Sequence, residues 1–208
     1  MYYYFGIVVV GVLVVWSLGS YLVIRKIEEP KYVVVENKNG YEIREYSAYI
    51  TAQTEVTGTY TEATSKGFRI IADYIFGNNV TKSSIAMTAP VLENSSQKIA
   101  MTVPVLDTER GTESRIISFV LPSEYTMETL PKPNNSQVAL VSVPSQKVAV
   151  LTFTWYPTVE RIALKKKELQ SLLEKDGVQI ASDTQVARYN PPLSMPLMLR
   201  NEIIIPIQ

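Results

Sequence analysis

The sequence predicts an α+β domain made of two β-α-β-β units that close one antiparallel sheet with a helix on each half, set behind an N-terminal transmembrane helix. Three observations predict it. Strands, helix and hairpin are followed by strands, helix and strands, with helix starts near Thr59 and Thr158 and stops at Gly77 and Gly177, about a hundred residues apart. This spacing reads as an old duplication. One phrase occurs twice, as Ile85-Ala86-Met87-Thr88-Ala89-Pro90-Val91-Leu92-Glu93 and as Ile99-Ala100-Met101-Thr102-Val103-Pro104-Val105-Leu106-Asp107. Finally, Phe5 to Ile24 runs for twenty residues without a charge.

That uncharged run is long enough, at about 1.5 Å per helical residue, to cross a hydrocarbon core of roughly 30 Å. Tyr2, Tyr3 and Tyr4 on one side and Tyr21 on the other suit the aromatic belts of a bilayer. A cleaved signal peptide is the competing reading, but no lysine or arginine precedes Phe5 and the run exceeds a usual signal core. Arg25, Lys26 and Lys31 follow it, which places the C-terminal side in the cytoplasm. Residues 1–26 are thus an anchor, 27–31 a short charged linker, and 32–208 the soluble domain of a single-pass membrane protein.

Within the domain, Tyr32 to Val35 is β-branched, Asn39-Gly40 signals a hairpin turn, and Tyr41 to Tyr46 and Ala48 to Val56 read as further strands. Thr59-Tyr60-Thr61-Glu62 matches a capping box. Phe68, Ile71, Ala72 and Ile75 then recur at i, i+3, i+4 and i+7, while Lys66, Arg69 and Asp73 fall elsewhere around the helix. This apolar face either covers a core or offers a ligand its surface. The doubled phrase reads as a hairpin of near-identical arms around Asn94 to Lys98. A four-residue turn sets Met87 and Met101 on opposite faces, and one residue more or less sets them on the same face. The two thioethers either fill core gaps or line an apolar ligand pocket.

Arg115 to Leu121 is a strand, Pro122 to Pro133 a loop with three prolines, and Val138 to Val143 and Lys147 to Thr154 a strand pair. The second helix opens near Pro157-Thr158 and is apolar at Val159, Ile162, Ala163, Leu169, Leu172 and Leu173. Lys166 falls inside that stripe and either snorkels to water or meets an acidic ligand group. Val186 to Tyr189 and Glu202 to Ile207 close the chain as strands around Pro191 to Met198.

Composition narrows the function. Twenty basic and twenty acidic residues in 208 give no charge reason to expect nucleic acid. With no histidine and no cysteine, a Ser-His-Asp or Cys-His nucleophile, a histidine-bearing zinc site, an iron–sulfur cluster and a disulfide are all excluded. A glutamate beside a tyrosine could do acid–base work, but no spacing picks out such a pair. The chain therefore reads as a binder and not as an enzyme.

Several fragments resemble the SOUL haem-binding protein family. They are Tyr41-Glu42-Ile43-Arg44-Glu45-Tyr46, Tyr74-Ile75-Phe76-Gly77-Asn78-Asn79, both Ile-Ala-Met-Thr-x-Pro-Val copies, Phe119-Val120-Leu121-Pro122-Ser123 and Thr129-Leu130-Pro131. Ala187-Arg188-Tyr189-Asn190-Pro191-Pro192 and Arg200-Asn201-Glu202 complete the set, in order over the whole soluble part. The resemblance implies a distorted antiparallel β-barrel flanked by two helices and built by internal duplication. It also implies non-covalent binding of haem or a porphyrin-like molecule at an apolar surface that includes the first helix. Carried onto this chain, it makes Phe68, Ile71, Ala72 and Ile75 candidate contacts.

The chain departs from that pattern in two ways. It lacks the histidine proposed as axial ligand in some members, so a tyrosine or methionine would hold the iron, or nothing would. Ser65 and Asp73 stand in the first helix and Leu193 to Leu199 is uncharged, leaving Lys66, Arg69, Lys166 and Arg200 as candidate partners of the haem propionates. Arg200 is also placed to pair with Glu202 and fix the last strand. The same architecture resembles bacterial effector-binding domains for amphipathic or cationic molecules. In that alternative Glu42, Glu45, Glu55 and the thirteen tyrosines are the resources.

Overall fold

The computed structural model of the chain describes residues 4, 7, 11–12, 16–17, 19–21, 27–81, 96–110, 114–191 and 194–208. Its strands are β1 (Tyr32–Asn37), β2 (Glu42–Tyr46), β3 (Tyr49–Thr57), β4 (Asn79–Val80), β5 (Val105–Arg110), β6 (Ser114–Val120), β7 (Lys132–Pro133), β8 (Ala139–Val143), β9 (Gln146–Phe153), β10 (Gln185–Arg188) and β11 (Asn201–Pro206). Helix α1 is Tyr60–Ile75, helix α2 is Val159–Lys175, and Pro196–Met198 makes one turn of 3-10 helix.

Local chemistry explains both helices. The Glu62 carboxylate accepts from the Thr59 backbone N–H at 3.2 Å and from its hydroxyl at 2.7 Å, holding the start of α1. The Thr158 hydroxyl accepts from the Arg161 N–H at 3.3 Å and caps α2. Gly77 and Gly177 follow the two helices at φ of 121° and 68°, a region that side chains disfavour. Both stops therefore fall where the sequence predicts them.

Nine strands form one antiparallel sheet in the order β1-β2-β9-β11-β10-β5-β6-β3-β8. It curls, so both faces are buried. One face carries the helices: α1 lies over Ala52, Ile117 and Phe119, and α2 over Ile43, Leu151 and Ile203. The other encloses Tyr46, Leu106, Val148, Ala187 and Ile204. In order, β3-α1-β5-β6 and β9-α2-β10-β11 run alike.

Three expectations are corrected or left outside this description. The sheet is an open half-barrel, because β1 and β8 stand at its edges and do not pair with each other. The second copy of the doubled phrase enters a strand only at Val105. Before that, the Ile99 N–H donates to the Ile75 carbonyl at 2.9 Å and the Val103 N–H to the Glu28 carbonyl at 3.0 Å. Pro104 has no N–H to offer a ladder. Strand β5 pairs instead with β6 and β10. The first copy, Met87 included, lies outside the described residues. Among the described residues no helix is long and apolar enough to cross a membrane. The stretch Phe5 to Ile24 is described only at Ile7, Gly11, Val12, Trp16, Ser17, Gly19, Ser20 and Tyr21, each of them helical.

Candidate functional site

The apolar face of α1 divides in two. Ile71 and Ile75 are fully buried and Ala72 nearly so, with Ile71 and Ile75 in the cluster of Ala52, Ile117, Phe119 and Leu130. These three predicted contacts are therefore core: the periodicity that suggested a ligand surface is the one a helix needs to sit on a sheet. Phe68 behaves differently. It remains 37 % exposed, with its ring centroid 5.1 Å from that of Phe119. Lys66 and Arg69 beside it are exposed, and no ion pair engages them among the described residues.

The segment from Ile99 to Val105 returns along α1. It starts on the Ile75 carbonyl and ends where Val105 stands opposite Phe119, beneath Phe68. Met101 projects from it, 40 % exposed. Phe68 on α1 and Met101 on the segment that follows it are thus both accessible apolar groups.

Strand register then extends this surface. Ala52, Phe119, Val105, Arg188, Asn201 and Phe153 form one row across five strand pairings, on the face that carries both helices. Helix α1 covers the Phe119 end and α2 the Phe153 end. The two converge where Tyr60, the first residue of α1, meets the α2 cluster. Val105 and Arg188, both half-buried, lie in the seam between them. Past Asn201, whose side-chain amide donates to the Trp155 carbonyl at 2.8 Å, the chain turns sharply. Trp155 is the non-glycine residue with positive φ among those described, at 71°, and is 46 % exposed. Its N–H donates to the Pro196 carbonyl at 3.2 Å.

Charges line the seam. Arg115 lies 4.6 Å and Arg188 5.2 Å from the Tyr60 ring centroid. Arg115 pairs with Asp107 and with Glu109, each at 3.0 Å. Lys166 pairs with Glu109 at 2.9 Å, bridging α2 to β5. The predicted ligand lysine is thus engaged by a protein carboxylate. Burial pushes the Asp107 carboxyl up despite Arg115, and its second oxygen has no hydrogen-bond partner. Arg188 donates to the Tyr60 hydroxyl, while its Nε has no partner. Burial alone pushes its guanidinium below the usual arginine range.

Arg200 belongs to the opposite face of the sheet. There Glu202, fully buried, accepts from Arg44 at 3.1 Å, from Arg200 at 3.0 Å, from the Tyr189 hydroxyl at 2.6 Å and from Thr152 at 3.3 Å. Arg200 also pairs with Glu29 at 2.9 Å and lies 3.8 Å from the Tyr189 ring centroid. The expected Arg200–Glu202 pair is present. Burial and the Glu202 charge push the Tyr189 phenol well above its ordinary value.

A cavity of roughly 360 Å³ opens at the end of the sheet. Glu28, Glu29, Tyr49, Thr102, Leu121 and Tyr125 are among its lining residues. Glu42 pairs with Arg44, Glu45 is exposed and Glu55 faces Arg110 and Ser114, so these three carboxylates share no cavity. Among the described residues no cluster of three or more acidic side chains could hold a metal ion. Sequence reasoning missed Arg188, Tyr60 and Trp155. A signal for Arg188 existed: in a strand of period two it shares a face with the fully buried Val186.

Residues 27–206 match the family model described as SOUL heme-binding protein. Heme-binding protein 2 of Homo sapiens is 29% identical over 169 residues, 78% of this chain and 76% of that protein. Among solved structures, the EcmrR C-terminal domain aligns with a TM-score of 0.59 at 8% identity, over 85% of this chain and 98% of its own. A hydrolase from Listeria innocua aligns at 0.51 and 14% identity, over 84% and 94%. Such identities show a shared fold alone.

Proposed function

The chain belongs to the SOUL haem-binding protein family, and from that membership we propose that it binds haem or a related tetrapyrrole, without covalent attachment and without catalysis. The observation that carries the reading is the exposed Phe68 ring, on a helix whose other apolar side chains are consumed by the core, with Met101 also exposed on the segment that returns from the end of that helix. A flat macrocycle laid there gains roughly 25 cal/mol for each Å² of apolar surface removed from water. Lys66 and Arg69 are exposed next to Phe68 and suit the macrocycle's carboxylates. The residues present fit such a group. A bound haem supplies a redox-active iron, for which the Met101 thioether is a chemically suitable ligand. With no histidine in the chain, a bis-histidine or proximal-histidine spectrum is excluded.

Residues 5–24 tether this binder to a membrane as a single-pass anchor, with the domain in the cytoplasm acting as carrier, buffer or sensor. Support comes from the uncharged length of the stretch. The similar runs β3-α1-β5-β6 and β9-α2-β10-β11 are read as descendants of one duplicated unit.

The test is titration of the full-length protein in nanodiscs with hemin. A saturable Soret shift at micromolar protein is expected, and its absence removes the reading. The roughly 360 Å³ cavity, with Glu28, Glu29, Glu128, Tyr49 and Tyr125 in its wall, favours a second reading, a module for lipophilic cations. Thermal stabilisation by such cations, with indifference to porphyrins, selects that alternative.

A further inference from the structure

A charged group taken out of water is expensive unless another charge or a full set of hydrogen bonds replaces the water. The other buried or half-buried arginines of the sheet obey this rule. Arg44 meets Glu42 and Glu202, Arg115 meets Asp107 and Glu109, and Arg200 meets Glu29 and Glu202. Arg188 is the exception among the described residues. It meets a neutral phenol, Tyr60, and leaves its Nε without a partner at a position sealed from water by the protein's own atoms.

Its place is also specific. Arg188 lies beside Val105 in the seam between α1 and α2, in the row that begins under Phe68 and ends at the Trp155 turn. We propose that Arg188 is an anion-binding residue, and that its guanidinium takes a carboxylate of a flat apolar ligand lying across the seam between Phe68 and Trp155. Tyr60 holds the guanidinium in place by stacking and by accepting one hydrogen bond from Nη2, and the other terminal nitrogen, Nη1, which has no hydrogen-bond partner among the described residues, is left for the ligand. A guanidinium N–H that carries charge makes a hydrogen bond to a carboxylate about twice as strong as a neutral one. The proposal rests on the tetrapyrrole reading for the identity of the ligand, but not for the presence of an anion site.

The experiment compares protoporphyrin IX with its dimethyl ester, on the full-length protein in nanodiscs, for wild type and Arg188→Met. A hydrogen-bonded charge contact predicts that the substitution weakens binding of the acid on the order of 10- to 100-fold. Binding of the ester should be the same in both proteins. Equal weakening of acid and ester, or no weakening of either, overturns the proposal. Melting temperature supplies an independent readout: removing an uncompensated charge should leave the apo protein as stable or more stable. A fall of several degrees makes Arg188 a fold residue and also overturns it. If neither porphyrin binds wild type, the tetrapyrrole reading fails by itself. The anion site is then decided with inorganic phosphate, which must raise the melting temperature of wild type more than that of the variant; equal shifts overturn it.

Discussion

Glu202→Gln should be among the most damaging single-atom changes in the domain. The carboxylate is fully buried and receives Arg44 at 3.1 Å, Arg200 at 3.0 Å and the Tyr189 hydroxyl at 2.6 Å. An amide of the same size keeps the packing but removes the charge, and turns one acceptor toward guanidinium donors as a donor. Breaking a buried ion pair by removing one partner costs about 3–5 kcal/mol. The lower end applies, because Arg44 keeps Glu42 at 2.7 Å and Arg200 keeps Glu29 at 2.9 Å. At roughly 2–4 °C per kcal/mol for a domain of this size, a loss of about 3 kcal/mol lowers the melting temperature by about 6–12 °C. Circular dichroism melts of wild type, Glu202→Gln, Arg44→Met and the double variant measure it. The double variant should lose clearly less than the sum of the singles, because both touch one network. A Glu202→Gln melt within 1 °C of wild type, or simple additivity, refutes the reasoning.

The division of α1 into core and surface residues gives a paired prediction: Ile71→Ala should cost about 2–5 kcal/mol, whereas Phe68→Ala should cost less, about 0.5–1.5 kcal/mol for the lost ring pair with Phe119, and should weaken hemin binding, which Ile71→Ala should not. Gly67→Ala should destabilise by about 1–3 kcal/mol through overpacking, because its new methyl would stand 2.4 Å from Ile117 Cγ1; an unchanged melting temperature would mean that α1 can lift from the sheet freely. Acid should act partly through Glu109. Burial alone would raise its carboxyl, but the hydrogen bond and charge of Lys166 and the charge of Arg115 outweigh this and hold it below its ordinary 4.5. Its folded value lies under the unfolded one, so its stabilisation is present above about pH 4.5 and lost as pH falls through the folded value; Glu109→Gln should flatten melting temperature against pH in that acid window. Alkali acts through Tyr49, pushed up to about 12 by burial and then by Tyr46. Its contribution should be lost as pH rises from about 10 toward 12, and Tyr49→Phe should reduce the decline.

Much of the architecture was legible because it is written in short-range chemistry. Thr59 with Glu62, Thr158 with Arg161 and the glycines at 77 and 177 set helix ends from within one turn of chain. The β-branched and apolar runs of β3 and β9 set strands in the same way. The doubled phrase misled, since two similar apolar runs around a polar turn fit a hairpin locally, while the donors of Ile99 and Val103 were drawn to the end of α1 and to Glu28. On α1, periodicity identified the apolar side chains but could not apportion them between sheet and ligand.

Composition alone decided which chemistries are absent, since no fold can restore a histidine or a cysteine that the chain lacks. Family membership was likewise carried by ordered fragments and then matched over residues 27–206. The pairing of charges was decided only in three dimensions. Lys166 and Arg200 sit at positions that invite a ligand, yet strands distant in sequence bring Glu109 and Glu29 to them. Arg188 reads as an ordinary strand residue until β5, β10 and Tyr60 surround it without a carboxylate. Burial and the sign of the nearest charge depend on strand order, and strand order is a long-range property that no local stretch of the chain encodes.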